Sequence, residues 1–462
     1  MRQVDVAFPQ DGQLIINEKG EPTLKRIYKK PTPHGAVALK SVLKERMPER
    51  NLLDVLTFVE QWINYTRHFA PLSGSDPKIN NPLARYLMTV FTYGCNLGPH
   101  QAARHSRGQF TPRTLAYVNR QHIITDKLEA AVRDVINFYA RFDLPRYWGL
   151  GKTVAADGTL FNTYLNNVMA ERHIRYGKYG GIAYHHVSDT YIALFSHFIS
   201  VGVYEAVYII DGLLKNTSDI QPDTLHADTH GQSLTVFGLT HLLGIQLMPR
   251  IRNWKDLILY KPDKEMAFEN IGTIVTGVIN WDLIRKHWRD YMRVVLSIKA
   301  GRLMPSTLLR KLGNFSRRNR LFRAFRELGR VIRTIFLLRY ITDDVLRRRI
   351  SATTNKVESY NNFIEWIFYG GHGVIAHNDP IEQEKRIKYN DLVASALIVM
   401  NVADMTRILQ QLNPDEYAIN RATIATLSPY WTDHIRRFGD FIVDIDLAVD
   451  APVLDFPLTN ED

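Results

Sequence analysis

The period of the apolar residues changes twice along this 462-residue chain, which restricts where any large β-sheet can form. From about 36 to 140, apolar residues recur at three- and four-residue steps in "LLDVLTFVEQWINYTRHF", "PLARYLMTVFTYGC" and "DKLEAAVRDVINFYARF", predicting helices. The stretches "PLSGSDPKINNP" and "NLGPHQ" separate them as turns. Strand character then begins at "KTVAADGTL" and continues through "GIAYHHVSD" and "TYIALFSHFISVG", with "SDT" as a tight hairpin. A helix ("YEAVYIIDGLL"), a strand ("TLHAD"), a helix ("SLTVFGLTHLLG") and a strand ("IQLMPRI") follow. This order predicts an α/β fold with a mixed sheet flanked by helices. From 254 to 352 strand signals give way to Arg-rich helical periodicity, and helices through Glu358 and over 383–411 close the compact part. Residues 1–30 read as extended, with short pieces "DVAF" and "QLII", and the tail after 413 carries a short helix near 421.

Charge narrows the function classes. The chain carries a net +11, and residues 301–350 alone hold fourteen Lys or Arg against Glu327, Asp343 and Asp344, also +11. The remainder is therefore near neutral, and the basic character belongs to one segment, as in a localised polyanion-binding surface. A 45% hydrophobic and 11% aromatic content predicts a folded, soluble chain. No uninterrupted apolar run approaches the ~20 residues of a membrane helix, so no membrane partner is expected. The first residues lack the basic-then-apolar order of a signal peptide. A single cysteine, Cys95, excludes an internal disulfide and a Cys-based zinc site, and fits a reducing cytoplasm.

Two aspartates stand at matching places. Asp157 and Asp228 each end an apolar strand, and in open α/β sheets ligands collect beyond the carboxyl ends of strands. Taken singly, either could simply cap the following turn. Together they need a cation or a shared proton, and a hard divalent metal with oxygen ligands answers that need. The "HADTH" stretch spaces His226, Asp228 and His230 for one strand face, which suits a mixed His/carboxylate metal site. A turn beginning at Thr229 would remove His230 from it, and His185 and His186 must point to opposite faces.

The basic segment folds onto a helix over 320–336 with Arg320, Arg323, Arg326, Arg330 and Arg333 on one side. Leu321, Phe325, Leu328, Ile332, Ile335 and Phe336 lie on the other. Ordinary solvated faces mix signs, whereas Arg forks match phosphate oxygens. Arg250, Arg252 and Lys255 could likewise follow a nucleic-acid backbone while Trp254 stacks on a base or anchors the core. In "NKVESYNNFIEWIF", Val357, Tyr360, Phe363, Ile364, Trp366 and Ile367 form the buried side, with Glu358 on a flank. Such an acid is ordinarily solvated.

These stretches ("AADGT", "KYGGIAYHHVSDTYIALFSHFI", "SDIQPDTLHADTHGQS", "LGIQLMPRIRNWKDL", "LSIKAGRLMPSTLLRKLG" and "TTNKVESYNNF") occur in an order that resembles the C-terminal half of the Tn-three family of bacterial replicative DDE transposases. The resemblance implies an RNase H-like fold interrupted by a helical insertion. It divides the chain into a mainly helical 1–150 (linker, scaffold or dimerisation region), a first core part 151–253 and an insertion 254–352. The second core part, 353–412, carries the Glu358 helix, and 413–462 is the tail. The family acids fall on Asp157, Asp228 and Glu358, 71 and 130 residues apart. The implied activity is two-metal-ion phosphoryl transfer with Mg²⁺ (Mn²⁺ as substitute), Asp157 bridging both ions and Asp228 and Glu358 each holding one. The implied reaction is 3′-strand nicking at transposon ends and replicative strand transfer into target DNA, by a homodimer in the bacterial cytoplasm. Expected DNA contacts are Arg250, Arg252, Trp254, Lys255, Lys299, Arg302, Arg317, Arg318, Arg320, Arg323, Arg326, Arg330 and Lys356, with Asn361 or Asn362 nearby. Family members are about twice as long, so a catalytically silent DNA-binding or transposase-interfering remnant is the alternative. A His-site metal hydrolase is a third reading.

Overall fold

The computed structural model describes the chain except residues 12, 29, 76–77, 165–170, 173–178, 201–206, 255–256, 315–318 and 457–462. The sheet forms where the apolar period changes. Its main strands are β1 (Thr153–Thr163), β2 (Tyr179–Ser188), β3 (Ala193–Ser200), β4 (Thr224–Ala227) and β5 (Gln246–Leu247), with a two-residue strand at Glu171–Arg172 antiparallel to the start of β2. Their order is β3-β2-β1-β4-β5. The hairpin partners β1, β2 and β3 run antiparallel, whereas β4 and β5 run parallel to β1 and to each other. A two-residue strand, β6 (Val374–Ile375), lies parallel to the far end of β1. The chain is a mixed α/β protein, as the order of strand and helix signals predicts.

The helices that frame the site are α1 (Leu52–Ile63), α2 (Pro82–Gly94), α3 (Thr125–Tyr139), α4 (Leu234–Leu242), α5 (Arg320–Thr342), α6 (Asp344–Ile367) and α7 (Pro380–Gln411). Helix α7 is the axis of the core, packing on α1, α2, α3, α6 and β3. Pro380 occupies its first turn, where a missing N–H costs nothing, and Asp379 accepts from Ile381 N–H at 2.9 Å. By length and composition α7 could cross a membrane, although charged residues such as Asp391 and Asp404 interrupt its apolar run. Yet 94% of its most apolar window is buried inside the protein, so its apolarity serves the core. Helices α5 and α6 are separated only by Asp343, whose backbone is extended and whose side chain caps Leu346 N–H and starts the second helix.

Helices α4 and α5 cross closely enough to exclude side chains. A Cβ on Gly238 would lie 2.7 Å from the Phe325 carbonyl oxygen, and one on Gly329 would overlap the Leu234 carbonyl. Glycine is required at both positions because backbone meets backbone.

Local context overturns several expectations. Residues 2–11 form a helix, so "DVAF" is helical, whereas Leu14–Ile16 and Pro22–Leu24 do pair as a hairpin. Asp5 ties the first helix down by accepting from the backbone of Glu269, Asn270 and Ile271. The 254–352 segment is not free of strands: Tyr260–Lys261 and Gly277–Val278 pair in parallel. The helix expected over "YEAVYIIDGLL" falls partly outside the described residues; its described part is α-helical over Asp211–Lys215. The tail has its helix at Arg421–Ile424 and adds a strand, Ile435–Arg436, against Arg50–Asn51.

Candidate active site

Ala156 of β1 and Ala227 of β4 are register partners, and Asp157 and Asp228 are the next residues on those two parallel strands. Neighbouring strands stand about 4.8 Å apart, so two half-buried acids meet at the edge of the paired region. Asp228 opens a 3₁₀ turn, Thr229–Gln232, without making a side-chain cap bond. Capping therefore does not account for its carboxylate. The turn also takes the backbone of His230 out of the strand, as its sequence predicts.

Helix α6 covers this edge, packing on both β1 and β4. Its buried side is as expected except that Trp366 is half exposed, lying under the Arg437 guanidinium at 4.4 Å. Glu358 is 52% exposed and faces Arg250, Nη1 to Oε1 3.6 Å. Arg250 is itself anchored beside the aspartates, because its N–H donates to Ala227 O at 2.8 Å. Asn361, three residues after Glu358 and 7% exposed, donates from Nδ2 to Asp157 Oδ2 at 3.1 Å. One helical segment thus addresses the sheet edge through two side chains. Among the described residues, no three His, Cys, Asp or Glu side chains stand close enough together to hold a metal ion. The donor chemistry nonetheless suits a hard cation: carboxylate oxygens on three elements and an amide oxygen beside them.

Beneath the acids lies a buried polar layer. His185 is the cross-strand partner of Asp157, so both side chains share one sheet face. Its Nε2–H donates to Asp391 of α7 at 3.0 Å, and Ser196 Oγ donates to the other carboxylate oxygen. The Tyr360 ring of α6 contacts His185 edge-on at 5.2 Å. His185 stands out in the sequence, whereas Asp391 is an isolated acid inside an apolar helical pattern. Its one legible signal is that burying a charge there requires partners.

The His-metal arrangement is not formed. His186 Nε2–H donates to Ile209 O at 2.8 Å and His226 Nδ1–H to Met248 O at 3.0 Å. Burial pushes both down to about 4, so they are neutral at pH 7 and serve the backbone.

The expected DNA contacts divide. Arg252, Lys299, Arg302, Arg320 and Arg323 are exposed, and Arg250 is half exposed. Lys255, Arg317 and Arg318 lie outside the described residues. Arg326 and Arg330 do not present a free arginine face. Arg326 lies over Phe322 at 5.6 Å, and Arg330 pairs with buried Glu327 and covers Tyr260 at 4.7 Å. Arg333 is turned toward Gln232 O, while Ile335, expected inside, is 52% exposed. The short strand at Tyr260, invisible to the helical pattern, captures that side of the helix. Trp254 is half-buried against Tyr340, ring centroids 5.5 Å apart, and so anchors the core rather than waiting for a base.

Lys356 is also corrected. Its ammonium donates to Trp148 O (2.8 Å) and Asp189 O (2.6 Å), lies 4.5 Å over the Tyr191 ring, and is pushed down to about 8 by burial. Lys356→Ala is expected to destabilise the fold by about 2 kcal/mol, through two stranded carbonyls, while leaving duplex affinity and its salt slope unchanged. Urea unfolding and salt-dependent binding check this; a slope lower by about one unit would restore a phosphate contact.

Beyond the acids, a cleft of about 780 Å³ continues between Gly158–Asn162 of β1 and the last turns of α6. Thr159 Oγ1 donates to Glu365 there at 2.5 Å, and Arg437 closes the far side.

Comparison with known proteins gives this arrangement a context. The chain is 32% identical over 413 residues to the transposase for transposon Tn21 of Escherichia coli, covering 89% of this chain and 41% of that protein. It is 29% identical over 425 residues to the transposase for Tn1546 of Enterococcus faecium (92% and 43%). It is 31% identical over 414 residues to the transposase for Tn501 of Pseudomonas aeruginosa (89% and 41%). The chain thus spans about two fifths of the length of these relatives. The family described as the Tn3 transposase DDE domain matches residues 54–441, a span that contains the sheet, Asp157 (within β1 rather than at its end, where the sequence places it), Asp228 just past β4, and the Glu358 helix. The chain belongs to the Tn3 transposase DDE domain family.

Proposed function

We propose that this chain carries the catalytic centre of a DNA transposase that nicks 3′ strands at transposon ends and joins them to target DNA, with the second strand left uncut. The observation that carries it is the placement of Asp157 and Asp228 just past paired residues on adjacent parallel strands, under the helix that bears Glu358. The strand order β3-β2-β1-β4-β5, antiparallel then parallel, supports an RNase H-like core, with 254–352 as its insertion and 353–412 as its second part. The remaining divisions are a helical scaffold over 1–150 and a tail over 413–462.

Asp157, Asp228 and Glu358 would hold two divalent cations, Mg²⁺ or Mn²⁺. The chemistry such ions supply is activation of the attacking oxygen and stabilisation of the leaving one. The protein's own part is to hold three carboxylates on rigid elements and to grip the backbone. Arg250 keeps Glu358 at the edge of the site through a half-exposed pair, and such pairs are weak. A DNA phosphate can therefore take the guanidinium and release Glu358 toward the aspartates. Arg252, Lys299, Arg302, Arg320 and Arg323 would position the backbone without reading sequence. A homodimer acting on bacterial DNA in the cytoplasm completes the proposal.

The test is single-strand nicking of a supercoiled plasmid carrying the element's ends, with Mg²⁺ and with EDTA. Nicking that needs Mg²⁺, accepts Mn²⁺ and falls at least about 100-fold in Glu358→Gln (two decades of rate, about 2.7 kcal/mol) supports the proposal. DNA binding with no cation-dependent nicking would make the chain a silent remnant.

A further inference from the structure

We propose that Asn361 is a positioning residue of the carboxylate site and supplies its neutral oxygen donor; this rests on the cation-dependent reading above. Helix α6 places Asn361 on the same side as Glu358 but deeper, at 7% exposure against the half-exposed acid. A side-chain amide is an expensive group to bury unless both of its ends are used. One end is used: Nδ2 donates to Asp157 Oδ2 at 3.1 Å. An ionised carboxylate only accepts, so the NH₂ must face Asp157, and this settles which end of the amide is the oxygen.

The other end is not satisfied by the protein. Asn361 Oδ1 is buried and has no hydrogen-bond partner. Buried acceptors without donors are uncommon, and this one shares an amide with the group that holds Asp157. Hard divalent cations accept side-chain carbonyl oxygens as ligands, directly or through bound water. A neutral amide adds that donor without a fourth negative charge beside Asp157, Asp228 and Glu358, where like charges repel. Its NH₂ meanwhile fixes one Asp157 oxygen, which lowers the cost of organising the carboxylate around an ion. Asn390 makes a useful contrast: its Oδ1 is likewise buried without a partner, but its Nδ2 donates to backbone carbonyls, Gly94 O on α2 at 2.9 Å and Ile364 O on α6 at 3.5 Å, rather than to a carboxylate.

The experiment is a Mn²⁺ titration of the full chain followed by electron paramagnetic resonance, with and without duplex DNA, on wild type, Asn361→Ala, Asn390→Ala and Asp157→Asn. Thermal unfolding is measured in parallel. Asn361→Ala is expected to weaken Mn²⁺ binding 10–100-fold and to raise the Mg²⁺ needed for half-maximal nicking by a similar factor. Asn390→Ala should lower stability and leave the titration unchanged. Should Asn361→Ala fail to fold, Asn361→Ser is measured in its place, and it must show the same shift. Wild-type Mn²⁺ binding in a folded Asn361 variant, with binding lost in Asp157→Asn, would overturn the role of Asn361 and leave the cation site standing. Equal titrations of wild type and Asp157→Asn would instead overturn the cation site itself.

Discussion

Asp157→Asn is expected to reduce cation-dependent nicking by on the order of 10³-fold or more, equivalent to about 4 kcal/mol of transition-state stabilisation at 1.36 kcal/mol per decade. The replacement is isosteric, and the new amide oxygen can still accept from Asn361 Nδ2. Strand β1 is held by continuous pairing to β2 from Val154 to Asn162 and to β4 from Thr153 to Ala156, none of which involves the carboxylate. Unfolding midpoints should therefore stay close to wild type while activity collapses. That separation distinguishes a chemical role from a structural one. A folded Asp157→Asn protein within tenfold of wild-type nicking would remove Asp157 from the chemistry.

The second large effect is structural. Gly329→Leu is expected to cost about 3 kcal/mol or more, because the added Cβ overlaps a backbone carbonyl that cannot swing away. Even Gly329→Ala should be strongly destabilising, since the obstruction already begins at Cβ. Gly272→Ala is the control: it has open space around the added atom and no positive φ, so it should be near neutral. Urea unfolding of the three variants checks this, and equal stability of Gly329→Ala and Gly272→Ala would refute the close α4–α5 crossing. The consequence reaches the site, because α5 runs into α6 through the Asp343 joint, and α6 carries Glu358 and Asn361.

Legibility followed how local each cause was. The sheet strands and the long helices were readable because burial on one face writes a period into the residues themselves. The residues around "DVAF" and at Tyr260–Lys261 were not, since three or four residues carry too little pattern and tertiary neighbours decide their state. The arginine helix shows the same limit. Angular spacing sorted Arg320 and Arg323 correctly to the exterior, yet Arg330 and Arg333 met Tyr260 and Gln232, distant in the chain (Gln232 by 101 positions), while Arg326 lies over Phe322 one turn earlier on its own helix. Lys356 looked like a phosphate contact for the same reason: its carbonyl partners, Trp148 and Asp189, lie about 170 to 210 positions away.

By itself the order of residues determined that a mixed sheet would form between 151 and 253, that Asp228 would follow the end of a strand, and that a helix would carry Glu358. Those outcomes depend on hydrophobic period and strand length, which are local properties. Asp157, expected at a strand end, instead lies within β1, which runs on to Thr163 because β2 continues to pair with it. Only the tertiary structure decided what the side chains do. It gave Glu358 to Arg250, Asp157 to Asn361, His185 to Asp391, and Lys356 to two carbonyls. A buried polar group must take whatever partner the fold brings within about 3 Å, and residues separated by up to two hundred positions become neighbours only once the helices have packed.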